Sequence, residues 1–579
     1  MVGGDMKATK KIKQNNITQL ISLLLLIIAV NIIGSYSFMR FDLTAEKRYS
    51  ISETTRTILK EQDDYINIKV YLDGQLPVEY KRLRNATKEL LDEFRAYNKD
   101  VQYEFIDPTE NENKTERIKL FKELAQKGLA YYNIPIENKD GFAQKIVFPS
   151  ALISYHDKSI PINLLESSRK APSTNDLNNS IQNLELNFMS AIRMLTSDKI
   201  PTVVFSTGHG EADQAHTADI AMDLAKSYTV GQIIIKGNFG ALTKRIKMDS
   251  TDSKLIPRYD LLIIAKPDSA FDDKDQFIID QYLMHGGKII WLLDKVQTDM
   301  DSLRRNTSTI GMNMKLNLDE MLFSYGARIN SNLLLNRNAL AIGTAEGNLR
   351  TWDYFPIALP VKGNIITDNL NAVKTKFVSS IDLVGSKDIK KTVLLKTDKH
   401  TRISPSPVLI DLVDIIYRGP NPALYNAPAQ NIAVLMEGKF TSHFVYRPIT
   451  PVIGNNKMFD VLYESPETKQ IVISDGDMIQ NQIMETANGI RPLPLGYDRY
   501  TQKYFDNKKF ILNAVNYMLG DEIMIHLRNK EFKIRLLDKQ KVINNRLQWQ
   551  IINTVIPVIL IILLGLISGF IKKRKYAKK

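Results

Sequence analysis

Two stretches of the chain carry no charged residue, 17–39 and 549–571. Leucine, isoleucine and valine fill the centre of each, over 20–30 in the first and 555–564 in the second. As helices rising ~1.5 Å per residue, both are long enough to cross a hydrocarbon core of ~30 Å. Trp549 stands where an interfacial anchor belongs, and membrane helices tolerate a proline such as Pro557.

Between these stretches the pattern switches between strand and helix periods. Ser50 and Glu53 have the spacing of a capping box, predicting a helix that runs to about residue 61. Residues 65–72 alternate like a strand and end at Asp73-Gly74. Residues 78–97 predict an amphipathic helix with Leu83, Leu90, Leu91 and Phe94 on its apolar side. A second strand over 101–106 stops at Asp107-Pro108, which completes a βαβ unit. A helix over 116–127 and a strand over 146–156 follow. Residues 40–172 thus predict a small α/β domain of thioredoxin-like type.

Residues 173–199 predict a connecting helix. Beyond it, strands with continuous apolar character fall at 201–206, 260–265 and 288–294, with helices over 214–228 and 274–285. That order predicts a parallel, doubly wound sheet over 200–330. Residues 331–469 predict a β-rich insertion or following part. The α/β character returns over 470–521, with a strand at 470–475 and a helix at 510–519. Residues 522–548 predict a juxtamembrane stalk, either a connecting helix or one lying on the membrane surface. The fold class is therefore multidomain α/β, flanked by two transmembrane helices.

Charge sharpens the topology. The net charge is +13, but residues 1–16 hold +3 of it and residues 572–579 hold +6, leaving +4 for everything between. A body so close to neutral is a poor polyanion binder, so no nucleic-acid partner is expected. Lysine and arginine outside both spans place residues 1–16 and 572–579 in the cytoplasm as basic tails. Residues 40–548 are then periplasmic, and the location is the inner membrane. The absence of cysteine excludes disulfides, thiolate metal sites and a cysteine nucleophile.

The candidate chemistry is sparse. Gly208, His209, Gly210 and Glu211 lie between a strand and a helix, where open α/β sheets bind ligands. His209 and Glu211 could handle a proton or a metal, but a lone His-x-Glu pair lacks the partners of a specific metal site. A glycine-rich turn made for steric reasons is the plainer reading. Asp294, Asp475 and Asp477 also stand at strand ends and could form a carboxylate cluster near His209. As turn or capping residues they need no function. Gly286-Gly287-Lys288 fails as a phosphate loop, because Tyr282 takes the earlier glycine's place and Ile289 the hydroxyl's. No nucleophile elbow occurs, and no His-x-x-x-His pair. We therefore expect no catalytic residue, no metal and no cofactor, and the seven strand-end residues stand as ligand-binding candidates.

Several segments in order resemble the gliding-motility-associated ABC-transporter auxiliary, or substrate-binding, proteins. They are residues 40–53, 206–211, 259–264, 437–442 and 510–517, together with the terminal apolar stretch and its basic tail. The resemblance runs over nearly the whole chain. It implies an ABC-type ATPase and a multi-span permease as partners, and a part in gliding motility. It also implies that the middle domain is similar to glutamine-amidotransferase-like folds, whose cysteine nucleophile this chain lacks. The expected function is a non-enzymatic, membrane-anchored auxiliary subunit with a large periplasmic domain for a partner or ligand. A scaffold without a small ligand, or a hydrolase or lyase built on Gly208–Glu211, are the alternatives.

Overall fold

The computed structural model describes residues 17–29, 50–138, 141–165, 173–247, 253–298, 300–344, 347–385, 387–412, 421–453, 460–486, 489–528 and 545–576. It divides into two compact units, residues 1–41 with 49–530, and residues 42–48 with 531–579.

In the first unit, α1 (Ile17–Ala29) is apolar and exposed. Residues 30–39 of the expected first span lie outside the described residues. The helix expected after Ser50 is α2 (Glu53–Lys60), and its cap is Ser52 rather than Ser50. The Ser52 hydroxyl accepts the Thr55 amide at 3.0 Å, which makes Glu53 the first helical residue, too early to close a box.

A four-stranded sheet follows, in the order β2-β1-β3-β4. It comprises β1 (Ile66–Val70), β2 (Val101–Phe105), β3 (Ser150–Tyr155) and β4 (Lys158–Asn163). The first two are parallel and are joined by α3 (Val78–Tyr97). β3 pairs antiparallel with β1, and β4 with β3. α4 (Lys114–Gln126) and a hairpin, Tyr132–Asn138 with Gly141–Val147, precede β3. The expected strand over 146–156 thus merged the end of that hairpin with β3. Ile66, Ile68 and Val70 face Leu83, Leu91 and Phe94 of α3. α5 (Thr174–Thr196), started by a Ser173–Asp176 capping box, adds Leu184, Phe188 and Ile192 to the same core. Expected as a connector, it is as much a packed layer.

The large sheet has ten strands. Five are parallel, in the order β6-β5-β7-β8-β13: β5 (Thr202–Thr207), β6 (Thr229–Ile234), β7 (Leu261–Ala265), β8 (Ile289–Leu292) and β13 (Thr468–Ile473). β9 (Ala339–Gly343), β10 (Leu349–Pro360), β11 (Lys390–Lys396) and β12 (Asn431–Gly438) extend this sheet antiparallel beyond β13. Val373–Lys374 pairs with β10. The stretch expected as a β-rich insertion therefore supplies strands that continue the same sheet.

Period-two geometry explains the runs of apolar residues. Val203 and Phe205 of β5 face one core with Ile220 and Leu224 of α6 (Gln214–Leu224) and Phe510, Ala514 and Met518 of α8 (Asn507–Met518). Val204 of β5, with Leu262 and Ile264 of β7, faces the other core, with Ile278, Ile279 and Tyr282 of α7 (Asp273–Met284). Both faces are covered, so both sets of side chains must be apolar.

α9 (Glu522–Arg528) buries Met524, Ile525 and Leu527, so this part of the expected stalk packs into the protein. Residues 529–544 lie outside the described residues. The second unit contains α10 (Arg546–Tyr576), with Pro557 inside it and its apolar side chains exposed. Its stretch Arg546–Ile571 is long and apolar enough to cross a membrane.

Candidate functional site

Numbering the parallel strands by sequence gives the order second, first, third, fourth, fifth. Chain direction across the sheet therefore reverses between β5 and β7, and the crevice outside their carboxyl ends is the topological switch point. The loops there are 208–213 and 266–272. They are joined by backbone bonds from the amides of Asp268 and Ser269 to the His209 carbonyl, 3.0 Å each, and from the Ala212 amide to the Ala265 carbonyl, 2.9 Å. Gly210 has φ 70°, and a Cβ there would overlap the Asp268 carboxylate. That close approach explains the glycine.

His209 points inward from this loop. Its ring stacks on Phe271 with centroids 3.8 Å apart. Nε2 lies 2.8 Å from Asp275 Oδ2 and Nδ1 lies 3.7 Å from Glu211 Oε1. Glu211 also accepts the His209 amide at 2.7 Å, and Asp275 accepts the Gly237 amide at 2.6 Å. Burial favours a neutral ring, but the hydrogen bond to Asp275 and the charge of Asp275 and Glu211 outweigh it and raise the pKa to about 9. Both carboxylates are held below their usual range: burial opposes this, and the imidazole and backbone amides prevail. Although Nδ1 and Glu211 Oε1 make no hydrogen bond, the two carboxylates thus favour the protonated ring. In that state it has no lone pair for a metal and none for a proton.

The three aspartates gather on the neighbouring strand ends. Asp294 follows β8, and Asp475 and Asp477 follow β13. Their carboxylate oxygens lie within 4.8 Å of one another. Lys266, just after β7, reaches into this group. Its Nζ is 2.5 Å from Asp477 and 3.5 Å from Asp294. Lys376 approaches Asp477 at 3.4 Å, and its amide donates to Asp475 at 2.9 Å. Asp294 accepts the Gly476 amide at 2.6 Å, and Asp475 accepts the Asp477 amide at 2.8 Å.

Burial and the neighbouring carboxylates raise Asp475 well above the usual range. Burial also raises Asp294, against the pull of Lys266. Asp477 goes the other way, to about 2, because Lys376 and Lys266 overcome its burial. A cation already stands among these carboxylates, in the form of the Lys266 ammonium. Nearby Lys374 is pushed down to about 8 by burial and by Lys376, and its Nζ donates to the Tyr497 carbonyl at 2.7 Å.

The seven residues singled out from the sequence therefore fall into two groups on adjacent loops. His209 and Glu211 share a cluster with Asp275, and the aspartates share one with Lys266 and Lys376. The ring partners of His209 are Asp275, Glu211 and Phe271, and the three aspartates form a carboxylate cluster of their own. Gly208 and Gly210 shape the first loop, both at positive φ. Sequence reasoning missed Asp275, Lys266 and Lys376. A signal existed for two of them: Asp272 and Asp275 open a helix, and Lys266-Pro267-Asp268 is a turn at the end of a buried strand.

These features define a mixed α/β protein with a half-parallel, half-antiparallel sheet whose parallel half is covered on both faces, self-neutralised strand-end loops and an apolar helix of membrane-crossing length. The family described as an ABC-type uncharacterized transport system matches residues 200–514, more than half of the chain, and the chain belongs to that family. Residues 45–154 match a domain of unknown function (DUF7088). An uncharacterized protein of Borreliella burgdorferi (strain ATCC 35210 / DSM 4680 / CIP 102532 / B31) is 21% identical over 579 residues, 98% of this chain and 99% of the relative. Among solved structures, the mmIFT52 N-terminal domain aligns with 58% of this chain and 100% of its own length, at 12% identity and a TM-score of 0.29. The exo-beta-1,4-mannosidase Op5Man5 from Opitutaceae bacterium strain TAV5 aligns with 69% of this chain and 46% of its own length, at 10% identity and a TM-score of 0.21. Scores this low carry no argument about fold or function.

Proposed function

We propose that the chain is a non-enzymatic auxiliary subunit of an ABC-type transport complex. Two membrane helices anchor it, over 17–39 and 549–571, and its α/β body lies on the periplasmic side of the inner membrane. Family membership supports the link to transport. The basic residues outside both apolar stretches support the orientation.

The observation that carries the non-enzymatic reading is the state of the switch-point loops. His209 has carboxylates at both ring nitrogens, and Lys266 neutralises the aspartates. A general base needs an accessible lone pair, and His209 is buried with Nε2 bound to Asp275. What the edge offers instead is a rigid surface for a partner or ligand.

The amino-terminal layer is read as thioredoxin-like, on its βαβ unit followed by an antiparallel hairpin. The larger sheet is read as glutamine-amidotransferase-like, on its doubly covered parallel half. A role in gliding rests on the sequence resemblance alone.

The test is a gentle-detergent purification of the full-length protein, with every copurifying chain identified. A P-loop ATPase and a multi-span permease arriving together uphold the reading, and His209→Gln should leave them attached. A protein that comes down alone, or only with outer-envelope proteins, overturns it. Deletion of the gene in a gliding bacterium, scored for motility, decides the gliding role.

A further inference from the structure

α9 is the last described helix before α10, and it touches two bodies: its apolar side chains enter one core and its last residue bonds to a helix of the other. Met524 and Leu527 sit in the hydrophobic cluster of the amino-terminal layer, with Ile51, Leu59, Phe188 and Ile192. The Met524 sulfur lies 3.7 Å from the Ser190 hydroxyl on α5. Asp521, which precedes α9 and is almost fully buried, pairs with Arg193 of α5. The same carboxylate accepts the Tyr228 hydroxyl, from the segment leading into β6, at 2.8 Å. At the other end of α9, Arg528 Nη1 donates to Asn513 Oδ1 of α8 at 2.9 Å. One short segment thus holds α5 of the amino-terminal layer, and α8 and Tyr228 of the large sheet. Both side-chain bonds named here between the two bodies, Ser190–Met524 and Arg193–Asp521, end on it.

Seven helical residues with three buried apolar side chains are a modest anchor. Charged groups decide its hold: a buried ion pair contributes much of its effect through what it costs when broken. Breaking those few bonds together would free α9 from both bodies at once.

We infer that α9 is a latch: closed, it fixes the amino-terminal layer to the ten-stranded sheet, and released, it lets that layer move as a body. The latch does not rest on the membrane-anchored reading, and it is testable on the isolated chain.

The chain lacks cysteine, so labels can be placed cleanly. Lys119→Cys on α4 and Lys399→Cys on the sheet side are exposed positions for a dye pair. The full-length protein in detergent should give a single energy-transfer population. Asp521→Asn and Arg528→Met, each alone, should add a second population of different transfer while the far-UV circular dichroism is unchanged. One unaltered population in both variants overturns the latch.

Hydrogen exchange on the unsubstituted chain gives an answer even if the variants fail to fold. Amides of α9 and of the last turns of α5 should open together, at lower protection than β7 and β8. Protection of α9 equal to those strands overturns the proposal. A chain that passes both tests yet purifies without an ATPase or permease keeps the latch and loses the transport reading.

Discussion

Lys266 holds its ammonium 2.5 Å from Asp477 while its own backbone sits at φ 52°, the left-handed region. A non-glycine residue there costs ~1–2 kcal/mol, and in this strained conformation its ammonium reaches both Asp477 and Asp294. Strain and charge are therefore parts of one arrangement at the carboxyl edge. Lys266→Met would leave three carboxylates around an apolar side chain. It should destabilise the protein by about 3 kcal/mol, read from the denaturant midpoint. Adding Asp477→Asn should recover part of that loss; a purely additive double variant would show that the pair is not coupled.

Gly476 is set by the same lysine. A Cβ at this position would stand 2.6 Å from Lys266 Cγ and 3.0 Å from its Cα. Gly476→Ala should therefore cost about 1–3 kcal/mol through overpacking, visible as a lowered unfolding midpoint. An unchanged midpoint would mean that the lysine does not occupy this place in solution.

His209 makes stability depend on pH in a definite direction. Its folded pKa of about 9 lies above the usual ~6.5, so its contribution is complete below pH ~6.5 and is lost as pH rises through 9. Lys374, held down to about 8, acts oppositely: folding gains between pH ~8 and ~10.5 as its amine is neutral in the folded state. Between pH ~6.5 and ~8 the His209 share of the unfolding free energy should fall by about 2 kcal/mol, close to ~1.4 kcal/mol per unit, added to the slope of the same sign that the raised Asp475 and Asp294 give while they titrate. His209→Gln should remove the His209 share. A slope unchanged in the variant would assign the proton elsewhere.

Asp280 lies fully buried on α7 and gathers four donors: the Ser442 and Tyr325 hydroxyls, the His443 amide and the Gln281 side chain, at 2.7, 2.7, 2.8 and 3.0 Å. Asp280→Ala would leave all four without this acceptor and should cost about 3–5 kcal/mol, measured by thermal or denaturant unfolding. Asp280→Asn keeps an acceptor and should cost less than half as much.

A charge in the middle of α10 tests its solvent. Leu560→Arg should disfavour insertion by about 2.5–3.5 kcal/mol and raise the fraction released by alkaline carbonate extraction. An unaffected membrane fraction would mean that the helix does not cross.

How far the sequence could be read depended on the range of the interaction. The helix expected over 78–97 is the helix found, because Leu83, Leu91 and Phe94 form its stripe without outside help. The strands at 202–207 and 261–265 were legible for a related reason: a sheet covered on both faces needs both sets of side chains apolar. Ser50 and Ser52 were indistinguishable as caps, since which hydroxyl reaches an amide depends on backbone entry. The hairpin at 132–147 was lost among lysines and asparagines. The site was harder still. Glycine and histidine at 208–211 stood out, but Asp275 meets His209 across 66 positions and Lys266 meets Asp477 across 211. No local pattern announces such pairs, and without them a self-neutralised edge looks like a reactive one.

Met524 and Leu527 share a core with Ile51 and Ile58. A ribosome delivers those isoleucines long before it delivers the methionine and leucine that cover them. Until they emerge, two places in that core stay open. Every other member of the core comes from residues 51–195, so the layer forms early and is closed late, by α9 alone.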